Sequence, residues 1–143
     1  MQLVEWLLEK FGFTGILSPA ELVGSVGKFH EWIGGSYKAV RRHKEYPLMV
    51  EKGSQLLTGI ADLVIETADT ILLVDYKTFP GYSDPTKNRE SCEWRARSYS
   101  GQMALYREML EKVYPGRKVE TVIWFVVAGA VVKVESPSIK AAV

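Results

Sequence analysis

A chain of 143 residues, 47% hydrophobic and 24% charged, holds one domain's worth of core and not two. Eighteen basic against seventeen acidic side chains leave a formal charge of +1, which excludes a global basic excess as the source of affinity for a polyanion. A single cysteine, Cys92, excludes an intramolecular disulfide and a cysteine-based zinc site, and no apolar run reaches the length of a bilayer crossing.

The first ten residues, MQLVEWLLEK, carry two Glu and lack the basic region and small-residue cleavage site of a secretory signal. They are expected to be mature structure in a cytoplasmic protein. Val4, Trp6, Leu7, Leu8 and Phe11 predict a short amphipathic helix closed by Gly12. Ser18-Pro19-Ala20-Glu21 predicts a second start, with Ser as cap, Pro at the first helical position and Glu three after the cap. That helix should run through Leu22, Val26, Phe29 and Ile33 and stop at Gly34-Gly35. Glu45 to Val50 reads as an edge strand, with Pro47 near its start. Thr58 to Thr67 and Thr70 to Thr78 read as a hairpin turning at Ala68-Asp69. Phe79 to Glu90, with its Pro, Gly, Ser, Asp and Asn, reads as a loop. Ser91 to Val113 is the longest helical pattern and ends at Tyr114-Pro115-Gly116. The apolar run Val122 to Val132 is broken by Gly129, so Lys118 to Val127 and Ala130 to Val134 read as two buried strands, followed by a frayed tail after Pro137. Helices, three strands, a long helix and two strands make an α/β arrangement with a mixed sheet. The expected organisation is one domain over 1–143: a helical part (1–35), a core (36–136) and a tail (137–143).

Chemistry concentrates in Gly59-Ile60-Ala61-Asp62 and in Val74-Asp75-Tyr76-Lys77-Thr78. Strand residues two apart share a face, so Asp75 and Lys77 point one way and Tyr76 the other. An acid and a lysine ending the apolar run Leu72–Val74 are costly unless they are paired or bind something. If the two runs pair, Asp62 reaches the same end of the sheet. Two carboxylates about 4 Å apart repel by roughly 4 kcal/mol at an effective dielectric near 20, a penalty that a divalent cation removes. Hard oxygen ligands suit Mg²⁺ or Mn²⁺, and the Tyr76 carbonyl between the two side chains could add another. The plain alternative is a surface ion pair at a strand end. Local basic clusters, Arg41, Arg42, His43 and Lys44, then Lys87, Arg89, Arg95 and Arg97, are solvated faces when taken alone.

These segments resemble the two central motifs of RecB-like nucleases in the PD-(D/E)XK superfamily. Gln102-Met103-Ala104-Leu105-Tyr106 resembles the Q-x-x-x-Y helix motif of the RecB/AddA branch, and Glu45-Tyr46-Pro47-Leu48 resembles its E-x-P strand. Lys77-Thr78-Phe79-Pro80-Gly81 is similar to the form seen in AddA-like helicase–nuclease subunits, and Trp94, Ala96 and Tyr99 loosely match residues before the Gln. The likeness covers roughly residues 36 to 127, and four motifs in order are far more specific than any one. It implies a restriction-endonuclease-like α/β core, a central mixed sheet flanked by helices, and Mg²⁺- or Mn²⁺-dependent hydrolysis of DNA. The DNA would be single strands delivered by a helicase domain or subunit in repair or recombination. By the same resemblance Asp62 and Asp75 would be metal ligands with the Tyr76 carbonyl, and Lys77 the catalytic lysine. Gln102 and Tyr106, one helical turn apart, would brace the site, and Glu45 would be an accessory acid.

One departure accompanies the likeness. Many RecB-like nucleases place a metal-binding His in a G-x-x-x-H setting, whereas this chain offers Gly27-Lys28-Phe29-His30, one residue shorter. His30 shares its helix with the apolar Phe29 and Ile33, and His43 lies among basic residues. If neither is the motif His, it is absent or lies upstream, as in a piece from the C-terminal part of a longer helicase–nuclease. The competing expectations are a degenerate domain that binds DNA or protein without cutting, and an interaction module whose acid–lysine pair is structural.

Overall fold

A computed structural model describes residues 1–39, 41–135 and 138–142. Its elements in chain order are α1 (Gln2–Lys10), α2 (Pro19–Ser36), β1 (Arg41–Lys52), β2 (Gln55–Glu66), β3 (Thr70–Lys77), α3 (Pro85–Arg97), α4 (Ser100–Val113), β4 (Lys118–Phe125), β5 (Ala130–Glu135) and β6 (Ser138–Ala141). The strands form one sheet in sequence order, β1-β2-β3-β4-β5-β6. Only the β3–β4 neighbours run parallel, from Thr70↔Lys118 to Lys77↔Phe125. A parallel step needs a crossover, and α3 and α4 supply it.

Two apolar layers hold the sheet between helices. On one side α2 lays Phe29 and Ile33 on Leu63, Ile65, Leu72, Val74, Val122 and Val131, and Phe29 stacks on Trp124 with ring centroids 4.0 Å apart. On the other side α3 and α4 bring Cys92, Ala96, Met103, Met109 and Leu110 onto Val64, Ile71, Leu73, Ile123, Phe125 and Val132. Buried on both faces, β3 reads as a continuous apolar run rather than an alternating one. This restriction-endonuclease-like α/β/α layering agrees with the sequence expectation.

Four expectations are corrected. The segment from Phe79 to Glu90 is a loop only to Asp84, whose side chain accepts from Lys87 N–H at 2.8 Å and caps α3, with Pro85 in its first turn. The long helix from Ser91 to Val113 is two helices, parted at Ser98-Tyr99. The strand expected from Glu45 to Val50 spans Arg41–Lys52, at the sheet edge as expected. The tail is not frayed throughout, because Ser138–Ala141 pairs with β5; Ser136, Pro137 and Val143 lie outside the described residues.

The sheet opens where the site lies. β1 and β2 keep one register from Arg41↔Glu66 to Lys52↔Gln55, but β2 pairs with β3 only from Leu63↔Val74 to Glu66↔Ile71. Beyond Leu63 the β1–β2 ribbon departs from β3. Ala61 packs in the α3/α4-side core and Leu63 in the α2-side core, although residues two apart on a regular strand share a face. The strand therefore switches faces at Asp62. Opposite it in the same register stands Glu45, whose φ is +50°.

Candidate active site

Asp62 stands at the point of departure, and its Oδ2 accepts a hydrogen bond from Tyr76 N–H at 2.7 Å. That bond satisfies a backbone donor on β3 that lacks a ladder partner once β2 turns away. Asp75, one residue before Tyr76, is only 5% exposed. Lys77 Nζ lies 2.8 Å from the buried Asp75 Oδ2 and forms an ion pair with it; no other donor among the described residues satisfies that oxygen. Burial pushes the Asp75 carboxyl above the usual carboxylate range; Lys77 opposes the shift and the Asp62 carboxyl beside it adds to it. Both acids and the lysine thus meet at the mouth of the split sheet.

Supporting contacts come from the helices. Lys77 Nζ sits 4.3 Å from the centroid of the Tyr99 ring, at the junction of α3 and α4. Tyr76 turns to the other face, its ring edge-on to Trp124 at 5.3 Å. On α4, Gln102 Nε2 donates to Tyr106 Oη at 3.2 Å. The Tyr106 ring lies over Gly59, where an added Cβ would fall 2.6 Å from Tyr106 Cε1. Gly59 is therefore the seat of the Tyr106 ring, three strand steps, about 10 Å, from Asp62. Glu45 is exposed on β1, its backbone opposite Asp62.

The two histidines are placed elsewhere. His30 is exposed on α2, beside Phe29 and on the helix that covers the opposite face of the sheet. His43 pairs with Glu66, which also receives Arg117 Nη1 at 2.9 Å, and His43 is the leading cause holding that carboxyl below its usual range. Among the described residues no three His, Cys, Asp or Glu side chains gather to hold a metal. Two carboxylates, one with a buried oxygen whose partner is the Lys77 ammonium, still fit a Mg²⁺-type ion, which binds through one or two carboxylates and takes its remaining ligands from water and phosphate.

Sequence reasoning missed two features around this site. Tyr99 is only a loose motif match in the sequence, and its contact to Lys77 depends on the break between α3 and α4. Asp84-Pro85 repeats the Ser-Pro start of α2 and could have signalled α3.

A model of the PD-(D/E)XK nuclease superfamily matches residues 9–141 of the chain. The chain belongs to this superfamily. It is 42% identical over 67 residues to an ATP-dependent helicase/nuclease subunit of the AddA type from Lactiplantibacillus plantarum, a stretch covering 47% of this chain and 5% of that protein. It is 30% identical over 93 residues to the corresponding ATP-dependent helicase/nuclease subunit of Anoxybacillus flavithermus, covering 61% of this chain and 7% of that protein. The chain thus spans a small fraction of the length of these relatives. The RecB/AddA-like resemblance read from the motifs is borne out in the PD-(D/E)XK match and in these helicase/nuclease relatives. PD-(D/E)XK nucleases generally use divalent metals. No helix among the described residues is long and apolar enough to cross a membrane.

Proposed function

We propose that residues 1–143 act as one PD-(D/E)XK nuclease domain that hydrolyses DNA phosphodiester bonds with Mg²⁺ or Mn²⁺. Its substrate is a single strand brought to it by a helicase domain or subunit, in cytoplasmic DNA repair or recombination. The observation that carries this reading is the meeting of Asp62, Asp75 and Lys77 where β2 parts from β3, with Asp75 buried and ion-paired to Lys77. Asp62 and Asp75 would hold the ion, with the Tyr76 carbonyl as a further oxygen ligand. A bound divalent cation supplies Lewis-acid polarisation of the phosphoryl oxygen and acidifies water. Lys77 Nζ would orient the attacking water as an ammonium, or take its proton if it first loses its own, and would balance the charge that develops on the phosphorus-bound oxygens. Gln102 and Tyr106 brace the strand carrying Asp62 and contact the DNA backbone, and Glu45 is an accessory acid.

End-labelled single- and double-stranded DNA, incubated with Mg²⁺ or Mn²⁺, tests the reading. The wild-type chain is expected to shorten the labelled strands, single strands faster. Lys77→Ala should lower the rate by at least about 10²-fold, within the range of a positioned proton-transfer group. Equal cleavage by the two proteins overturns the assignment.

A rival reading is favoured by the lack of a third His, Cys, Asp or Glu beside the two acids among the described residues: a degenerate domain that keeps strand binding and no longer cuts. Calorimetric titration with Mn²⁺ separates them. The nuclease reading expects saturable binding that Asp75→Ala abolishes, and the degenerate domain expects none.

A further inference from the structure

After Lys77 the chain runs through Thr78, Phe79, Pro80, Gly81 and Tyr82 before Asp84 caps α3. Phe79, Tyr82 and Trp94, with Glu90, Ser91 and Arg95, line an open cavity of about 340 Å³, at the small end of the 300–1,000 Å³ range typical of ligand sites. Two of its rings are open to solvent, Trp94 at 68% and Tyr82 at 47% exposure. The core does not use them. Phe79 forms the floor, edge-on to Phe125 at 6.1 Å.

Cations border these rings. The Arg95 guanidinium lies 4.3 Å from the centroid of Phe79, and Lys87 Nζ lies 4.2 Å from that of Tyr82. Aromatic faces interleaved with cations stack bases and neutralise the phosphates on either side, whatever the base. Glu90 in the lining repels a phosphate and can accept from a base amino group, so the cavity itself suits a base.

The arrangement is held in place before any ligand arrives. Asn88 Oδ1 accepts from Tyr82 N–H at 3.0 Å, and its Nδ2 donates to the Ala128 carbonyl at 3.0 Å. Gly81 has φ +70°, and a Cβ there would fall 1.9 Å from Asn88 Oδ1. Only glycine lets the loop lie this close to α3. A preformed site avoids part of the ordering cost of binding.

We propose that this cavity is a nucleobase subsite, in which Trp94 and Tyr82 stack one unpaired base of the DNA strand cut at Asp62, Asp75 and Lys77. Phe79 follows Lys77 by two residues, whose α-carbons lie at most about 7 Å apart, so the cavity begins beside the site where the strand would be cut. A base inside a duplex must first be unstacked and unpaired, at a cost of a few kcal/mol; the subsite therefore selects single strands. The inference rests on the nuclease reading for the identity of its ligand.

Fluorescence anisotropy of a labelled oligothymidylate, with EDTA present so that nothing is cut, tests it on the whole chain. Trp94→Ala is expected to weaken binding by about ten-fold, the order lost with one base–aromatic stack, and Trp94→Phe to recover most of it. Trp94 is exposed, so the melting temperature should not move. One abasic position in the oligonucleotide should reproduce the loss in wild type and add nothing in Trp94→Ala, the non-additivity of a direct partner. Unchanged affinity of Trp94→Ala, an abasic penalty equal in both proteins, or no saturable binding by wild type overturns the subsite. A parallel Mn²⁺ cleavage assay keeps the two readings apart. Cutting without base dependence sinks the subsite alone, and base-dependent binding without cutting sinks the nuclease reading alone.

Discussion

Asp75 sits in a costly position, an acid buried at the end of an apolar strand and balanced by one lysine. Its carboxyl is buried, one oxygen meets the Lys77 ammonium, and burial raises its pKa despite Lys77. A raised carboxyl pKa means that the native state holds more protons than the unfolded chain between the two values. Stability therefore falls as pH climbs through that window, and the full penalty stands at neutral pH. Replacing Asp75 with Asn removes the charge and keeps the shape. In EDTA at pH 7 Asp75→Asn should melt above wild type, and the difference should vanish as pH falls below the ordinary carboxylate pKa of about 4. Mn²⁺ should then raise the melting temperature of wild type and leave that of the variant unmoved. A variant that melts below wild type throughout, or responds to Mn²⁺ equally, contradicts this account. Strand alternation alone made the shared face of Asp75 and Lys77 legible in the sequence. The convergence of Asp62 was legible only in outcome: a plain hairpin was expected, whereas Asp62 arrives through a face switch opposite Glu45.

At the scale of elements, α4 and β2 are locked through one glycine. The Tyr106 ring occupies the space a side chain at 59 would need, with Tyr106 Cε1, Oη and Cζ 2.6, 2.8 and 2.9 Å from the added Cβ. Gly59→Ala should destabilise by about 1–3 kcal/mol, the usual cost of overfilling a packed site. Tyr106→Leu placed in the same chain should return part of that loss, measured by urea unfolding; strictly additive losses would show that the ring is not the obstacle. The motif residues Gly59, Gln102 and Tyr106 were legible in the sequence, but their mutual seat was not, because it joins segments more than forty residues apart. The helices between were less legible for a different reason. Only Cys92 and Ala96 of α3 are fully buried, so its apolar stripe is too thin to reveal a helical period, and Gly81, Ser83 and Asn88 outweighed the Asp84-Pro85 start. The break after it has a local cause: Ser98 and Ser100 hydroxyls donate to the Arg95 and Arg97 carbonyls at 2.7 and 2.8 Å, and such bonds compete with helix continuation.

Over the whole molecule, positive charge is local. The formal charge is +1, and several basic side chains are already committed to acids: Arg117 to Glu66, Lys52 to Glu108, Lys118 to Glu120. What remains includes the exposed basic set on α3, Lys87, Arg89, Arg95 and Arg97, and Arg41, Arg42 and Lys44 on β1, while Lys77 is itself paired with Asp75. A strand lying across the site then meets a few cations rather than a field. For single strands the logarithm of affinity falls with the logarithm of salt concentration at about 0.7 per phosphate neutralised. Two to four contacts thus predict a slope between about −1.4 and −2.8. Oligothymidylate titrations at a series of KCl concentrations give this slope directly, and Arg95→Ala or Lys87→Ala should each reduce its magnitude by up to about 0.7. With so shallow a slope, the helicase tether proposed above would raise occupancy, since a tether replaces free concentration with an effective one. A slope steeper than about −5 would require a broad basic surface and would remove the reason for expecting the nuclease domain to depend on a helicase for its substrate.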